Sequence, residues 1–136
     1  MKILVFAVSL LSAVIVFSYE QIPSKSDHID AFNEAQSCFN SVANTMAVRK
    51  IDCAKRALEE GRFIFESGSL NIAALTYNYG KALKRRDEKK ALDILGESLE
   101  LYEAIYGESS LEIINILIDM GESRKVKAIA KKYFEK

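Results

Sequence analysis

A slide of 41 residues brings much of the chain into register with itself. Leu58 falls on Leu99, Glu59 on Glu100, Ile64 on Ile105, Ser69 on Ser110, Leu70 on Leu111, Ile72 on Ile113 and Gly80 on Gly121. Phe65 with Tyr106, Leu75 with Ile116 and Asn78 with Asp119 keep similar size or polarity. A repeat of this length is one supersecondary unit, too small to bury its own apolar face, so neighbouring units must stack on one another. The fold is therefore expected to be a one-dimensional stack.

The spacing of apolar residues says what each unit is. Ile72, Leu75, Tyr79, Ala82 and Leu83 recur every three or four residues, and Leu92, Leu95, Leu99, Tyr102 and Tyr106 do so again. Both stripes predict amphipathic helices, folded into a hairpin over residues 70–107. Ala73, Ala74, Gly80 and Ala91 put small side chains where two such helices meet. Upstream, Phe32, Ala35, Phe39, Val42 and Met46, then Ile51, Ala54, Leu58, Gly61 and Phe65, predict an earlier hairpin. Downstream, Ile113, Ile114, Leu117 and Met120 are out of phase with Val126, Ile129, Ala130 and Tyr133, which places a break near Gly121 to Ser123. A short third hairpin is expected there, with one continuous terminal helix as the alternative. Gly107 suits a helix end, and Ser109 with Glu112 suits a capping box at the next start. With a single proline and few β-branched runs past residue 20, the class is all-α.

The first residues belong to targeting. Met1 and Lys2 precede an apolar run from Ile3 to Phe17, and Val16 and Ser18 are small residues before a cleavage point at Ser18/Tyr19. This predicts a signal peptide over 1–18 and export to the periplasm or the exterior, with no stable membrane insertion after cleavage. The run is shorter than the roughly 20 residues of a span, and an uncleaved N-terminal anchor is the alternative. Residues 19–27, with Pro23 and three serine or aspartate residues, read as a linker whose end, Ser26 or Asp27, caps the first helix. The helical domain then runs over 28–136.

Charge and chemistry narrow the function. Nineteen basic and nineteen acidic residues give a formal charge of zero, which removes the field that draws proteins to nucleic acid. The sole histidine, His28, does not share a helix face with Asp30 and Glu34, so those acids read as helix-start charges and not as metal ligands. Glu59, Glu60, Glu97, Glu100 and Glu103 lie opposite the apolar stripes and read as solvated. Neither phosphate-binding loop nor nucleophile motif occurs, so the expectation is a protein without catalysis, metal or cofactor. Cys38 and Cys53 stand about equally far from the turn near residues 45 and 46, on opposite helices of the first hairpin. In an oxidising compartment they are placed for a disulfide worth about 3 kcal/mol in the chain-entropy model; two buried thiols are the alternative.

Three stretches then resemble a known family: Ala54-Lys-Arg-Ala-Leu-Glu59, Leu70-Asn-Ile-Ala-Ala-Leu-Thr-Tyr-Asn-Tyr-Gly80 and Ser98-Leu-Glu-Leu-Tyr-Glu-Ala-Ile-Tyr-Gly107. They are similar to the tetratricopeptide repeats, in the longer variety found in kinesin light chains and many bacterial proteins. Lys50 departs from that pattern, which has a small residue there. The resemblance implies two to three helical hairpins in a short right-handed α-α superhelix, with the first helix of each lining a concave groove. Tyr77, Asn78, Lys81, Lys84 and Arg85 would then project into the groove, where an amide and cations suit a peptide backbone and a carboxylate. The expected function is an exported adaptor or scaffold for an acidic peptide or protein segment. The alternatives are a structural protein that associates with itself or docks on a larger assembly, and, more remotely, a small metal-binding or hydrolytic protein.

Overall fold

The computed structural model describes residues 23–107 and 110–135. The predicted signal peptide, the start of the linker and Ser109 lie outside the described residues. Among them the chain forms six helices and no strand: α1 (Lys25–Ser41), α2 (Ala47–Ile64), α3 (Leu70–Leu83), α4 (Glu88–Tyr106), α5 (Leu111–Asp119) and α6 (Ser123–Phe134). The substantial packing runs between helices that are neighbours in the chain, so the molecule is the expected all-α stack of helical hairpins. The terminal segment is a hairpin, not one helix: Gly121, at a φ of 77°, ends α5. The Glu122 amide then donates to the Leu117 carbonyl at 2.9 Å and Gly121 to Ile118 at 3.0 Å, which closes the last turn before α6 begins.

Serines set the starts of the odd-numbered helices. Ser69 and Ser110 accept from the amides of Ile72 and Ile113, three residues on, so the 41-residue register is repeated in the caps themselves. This corrects the expectation at α5, where Ser110 is the cap and Glu112 falls in the first turn. The start of α1 also differs from expectation. Ser24 caps it, accepting from the Asp27 amide while the Asp27 carboxylate accepts from the Ser24 amide at 2.8 Å. This reciprocal box starts the helix at Lys25, three residues before the expected domain start.

Two apolar clusters sit on either side of α3. Ile72, Leu75, Tyr79 and Leu83 face Ala35, Ala54, Ala57 and Leu58, whereas Ala73 turns toward Leu95, Tyr102, Ile113, Ile116 and Leu117. Seven of the fourteen residues of α3 are buried, so it is the one helix that must be apolar on most of its circumference. Val126 and Ile129 bring α6 onto the second cluster; the side chain of Tyr133 lies outside the described set.

The stripe on α4 is rotated from the one expected. Ala91, Leu95, Ser98 and Tyr102 are buried, while Leu92 and Tyr106 are 38% and 45% exposed. Small side chains at Ala91 and Ser98 let α4 approach α3, and the Ser98 hydroxyl donates to the Ala73 carbonyl at 3.2 Å. Gly80 lies at the same seam, where a Cβ would stand 2.8 Å from Leu95 Cγ and 3.2 Å from the Leu95 nitrogen. Met46, expected on the α1 stripe, is exposed in the turn because α1 ends at Ser41.

Candidate functional site

A cavity of about 470 Å³ opens where the first hairpin meets α3. Its α3 wall carries Asn78, Lys81 and Ala82, followed by Lys84 and Arg85 in the turn after the helix. The helix ends with Lys84 as its C-cap, and Lys81 in its last turn complements the exposed carbonyls. The facing wall holds Phe39 from α1, Asn44 from the turn, and Ala47 and Lys50 from the first turns of α2.

Four cations and no carboxylate line this cavity. Lys50 is the most constrained of them: its ammonium donates to the Val42 carbonyl at 3.2 Å and lies 4.4 Å from the Phe39 ring centroid. Lys81 extends past the Tyr77 ring at 5.2 Å. Lys84 is 3.9 Å from an Asp119 carboxylate oxygen, a pair whose lysine end is exposed and screened by water. An anion entering the cavity meets several positive charges, with the Asn78 amide able to donate and accept beside them.

Four of the five expected groove residues, Asn78, Lys81, Lys84 and Arg85, thus share one cavity. Tyr77 does not join them. Its hydroxyl donates to the Asp119 carboxylate and so ties α3 to α5, across the unit boundary. Burial, and then that hydrogen bond, raise the Tyr77 phenol well above its ordinary range. The cavity also departs from a groove lined by first helices alone, because Ala47 and Lys50 belong to a second helix. Residue spacing gave no sign of Phe39 or Asn44. Lys50 did carry a signal, since it departs from the repeat pattern at a position that proves to face the site.

Cys38 and Cys53 come together as expected, with a Cα–Cα distance of 5.7 Å and their sulfurs bonded. The acidic residues are less uniform than anticipated. Glu60 is half-buried and accepts from His28 Nδ1 at 2.6 Å, and the imidazole stacks on Phe63 at 4.0 Å, so this pair clamps the start of α1 to the end of α2. No group of three or more potential metal ligands occurs among the described residues. Nor is any described helix long and apolar enough to cross a membrane.

A helical-repeat protein with a basic cavity between its hairpins is thus the class that fold and site define. Compared with family models, with curated proteins and with solved structures, the chain finds no match.

Proposed function

We propose that this chain is a short tetratricopeptide-like adaptor without catalysis, which holds an acidic segment of a partner protein in the cavity between its first hairpin and α3. The observation that carries this reading is the lining: Lys50, Lys81, Lys84 and Arg85 face the cavity and no carboxylate is among its lining residues, in a chain whose total charge is zero. Half-buried Asn78 next to Lys81 supplies the paired donor and acceptor that an extended peptide backbone uses. Export to the envelope belongs to the same proposal. It is supported by the Cys38–Cys53 bond, which persists in oxidising compartments, and by the apolar run after Lys2.

Photocrosslinking in the native host tests the reading, with the reactive group at Asn78 and a control at the exposed Glu97 on α4. A discrete adduct from Asn78 alone is expected, and Lys81→Glu with Lys84→Glu is expected to remove it while helicity is unchanged. Adducts of doubled mass would favour self-association instead. An adduct that survives both charge reversals would take the cavity out of the account.

A further inference from the structure

The two walls of the basic cavity are built differently. One is a helix and the turn that follows it, spanning Asn78 to Arg85. The other is assembled from a helix end, a turn and a helix start, and its residues, Phe39, Asn44, Ala47 and Lys50, all lie between Cys38 and Cys53. The disulfide therefore closes a covalent ring around the whole of that wall. Both contacts that aim the Lys50 ammonium, the Val42 carbonyl and the Phe39 ring, are made to residues of the same ring.

Besides the disulfide, the α1 side of this wall is held by the packing of Phe39 on the core around Ala54 and Leu58 and, at the far end of the helix, by the His28–Glu60 pair. Of the seventeen residues of α1, only Ala35 is fully buried, so its last turn is held against α2 by partly buried side chains such as Phe39 and by the disulfide. Cys38 lies in that last turn, and Cys53 lies one turn beyond Lys50 on α2.

We propose that Lys50 is a ligand-contacting cation of the acidic-segment site and that the Cys38–Cys53 disulfide is its positioning device, so that the oxidised protein binds and the reduced protein binds weakly. The inference rests on the cavity being an acidic-segment site. On reduction by a dithiol the S–S bond breaks and each sulfur gains a hydrogen. The dithiol closes to its own disulfide and supplies the two electrons. Phe39 and the Val42 carbonyl are then free to leave Lys50, and the wall facing Lys81 opens. Linkage makes the effect reciprocal: a ligand that prefers the oxidised form makes the disulfide harder to reduce by the same factor.

The test uses the full chain, oxidised, with a fluorescein-labelled tetraglutamate peptide as probe and tetraglutamine as control, read by anisotropy at low salt. Oxidised protein should bind tetraglutamate and not tetraglutamine. Lys50→Gln, which leaves the disulfide in place, should weaken binding about tenfold, as expected for one charged contact. Reduction should weaken it comparably while α3 to α5 stay protected from hydrogen exchange. Saturating peptide should move the disulfide midpoint about 30 mV more negative, the equivalent of a tenfold preference in a two-electron couple. The midpoint and the Lys50 variant do not depend on whether Cys38→Ser with Cys53→Ser folds. If Lys81→Gln weakens binding but Lys50→Gln and the reduced protein bind like the oxidised wild type, or if the midpoint does not move, this inference falls and the adaptor reading stands. If the oxidised wild type does not bind tetraglutamate, both fall.

Discussion

Gly80 and Gly96 are both helical glycines, yet they answer opposite demands. At Gly80 an added methyl would meet Leu95 Cγ at 2.8 Å and the Leu95 backbone nitrogen at 3.2 Å, whereas at Gly96 nothing stands within 4 Å. Gly80→Ala is therefore expected to destabilise the chain by about 1–3 kcal/mol through overpacking. Gly96→Ala is expected to stabilise it by about 0.5–1 kcal/mol through helix propensity. Urea unfolding of the two variants checks the pair, and shifts of the same sign would contradict the account. The 41-residue register aligns Gly80 with Gly121, but Gly121 ends a helix at positive φ with open space around it. A repeat in sequence marks where a glycine recurs; whether backbone angle or close approach selects it is settled by packing. At the start of α1, the Ser24 amide and then the Ser24 hydroxyl hold the Asp27 carboxyl below its ordinary value. With the folded value depressed, this capping contribution is complete above the ordinary aspartate pKa near 4 and disappears as pH falls through the folded value. Ser24→Ala should lower stability at neutral pH and by progressively less in acid, measured by thermal unfolding at several pH values.

At the scale of the element, periodicity located every helix pair but not every buried face. The α4 stripe is rotated because Ala91, already legible as a contact position, and Ser98, which was not, make the close contact with α3, and the larger Leu92 is left at the rim. Three- and four-residue spacing identifies a helix with an apolar side, but the seam follows the smallest residues where helices nearly touch. The resemblance to tetratricopeptide repeats implies Tyr77 in the groove, yet its hydroxyl reaches Asp119 on α5. No pattern within one helix reveals a partner 42 residues away. Tyr77→Phe keeps the ring and removes that bond, and a loss of about 1 kcal/mol is expected. The Tyr77 phenol is raised, so its contribution is whole below the ordinary tyrosine pKa near 10 and is lost as pH rises toward the folded value. The destabilisation by Tyr77→Phe should accordingly shrink in strong alkali, and a constant difference across pH 8–12 would exclude the assignment. In the first hairpin the element-level expectation of a disulfide has a direct check. The purified chain should be two hydrogens lighter before reduction than after, by intact-mass measurement.

For the molecule as a whole, the register explains both what was legible and what was not. Starts at Ala47 and Glu88, and at Leu70 and Leu111, keep the 41-residue step, but α1 and α6 do not follow it. The ends of a stack are free of the repeat because each has a neighbour on one side only. That asymmetry predicts graded stability. Amide exchange should be slowest in α2 to α4, around Ala54 and Leu95, and fastest in α6, where half-buried side chains such as Val126 and Ile129 dock. Uniform exchange along the chain would argue against a modular stack. The cavity was only half readable for the same reason. Its α3 wall is a run of nearby residues, while Phe39, Asn44 and Lys50 reach it by the stacking of one hairpin on the next. The ring through Cys38 and Cys53 gives this stack one more property. Ala43, Asn44 and Thr45 are exposed in the turn inside it, the kind of site where a protease cuts first. A single cut there severs the chain but releases nothing, since both pieces stay joined through sulfur. The nicked protein should run as one band on a non-reducing gel and as two on a reducing one.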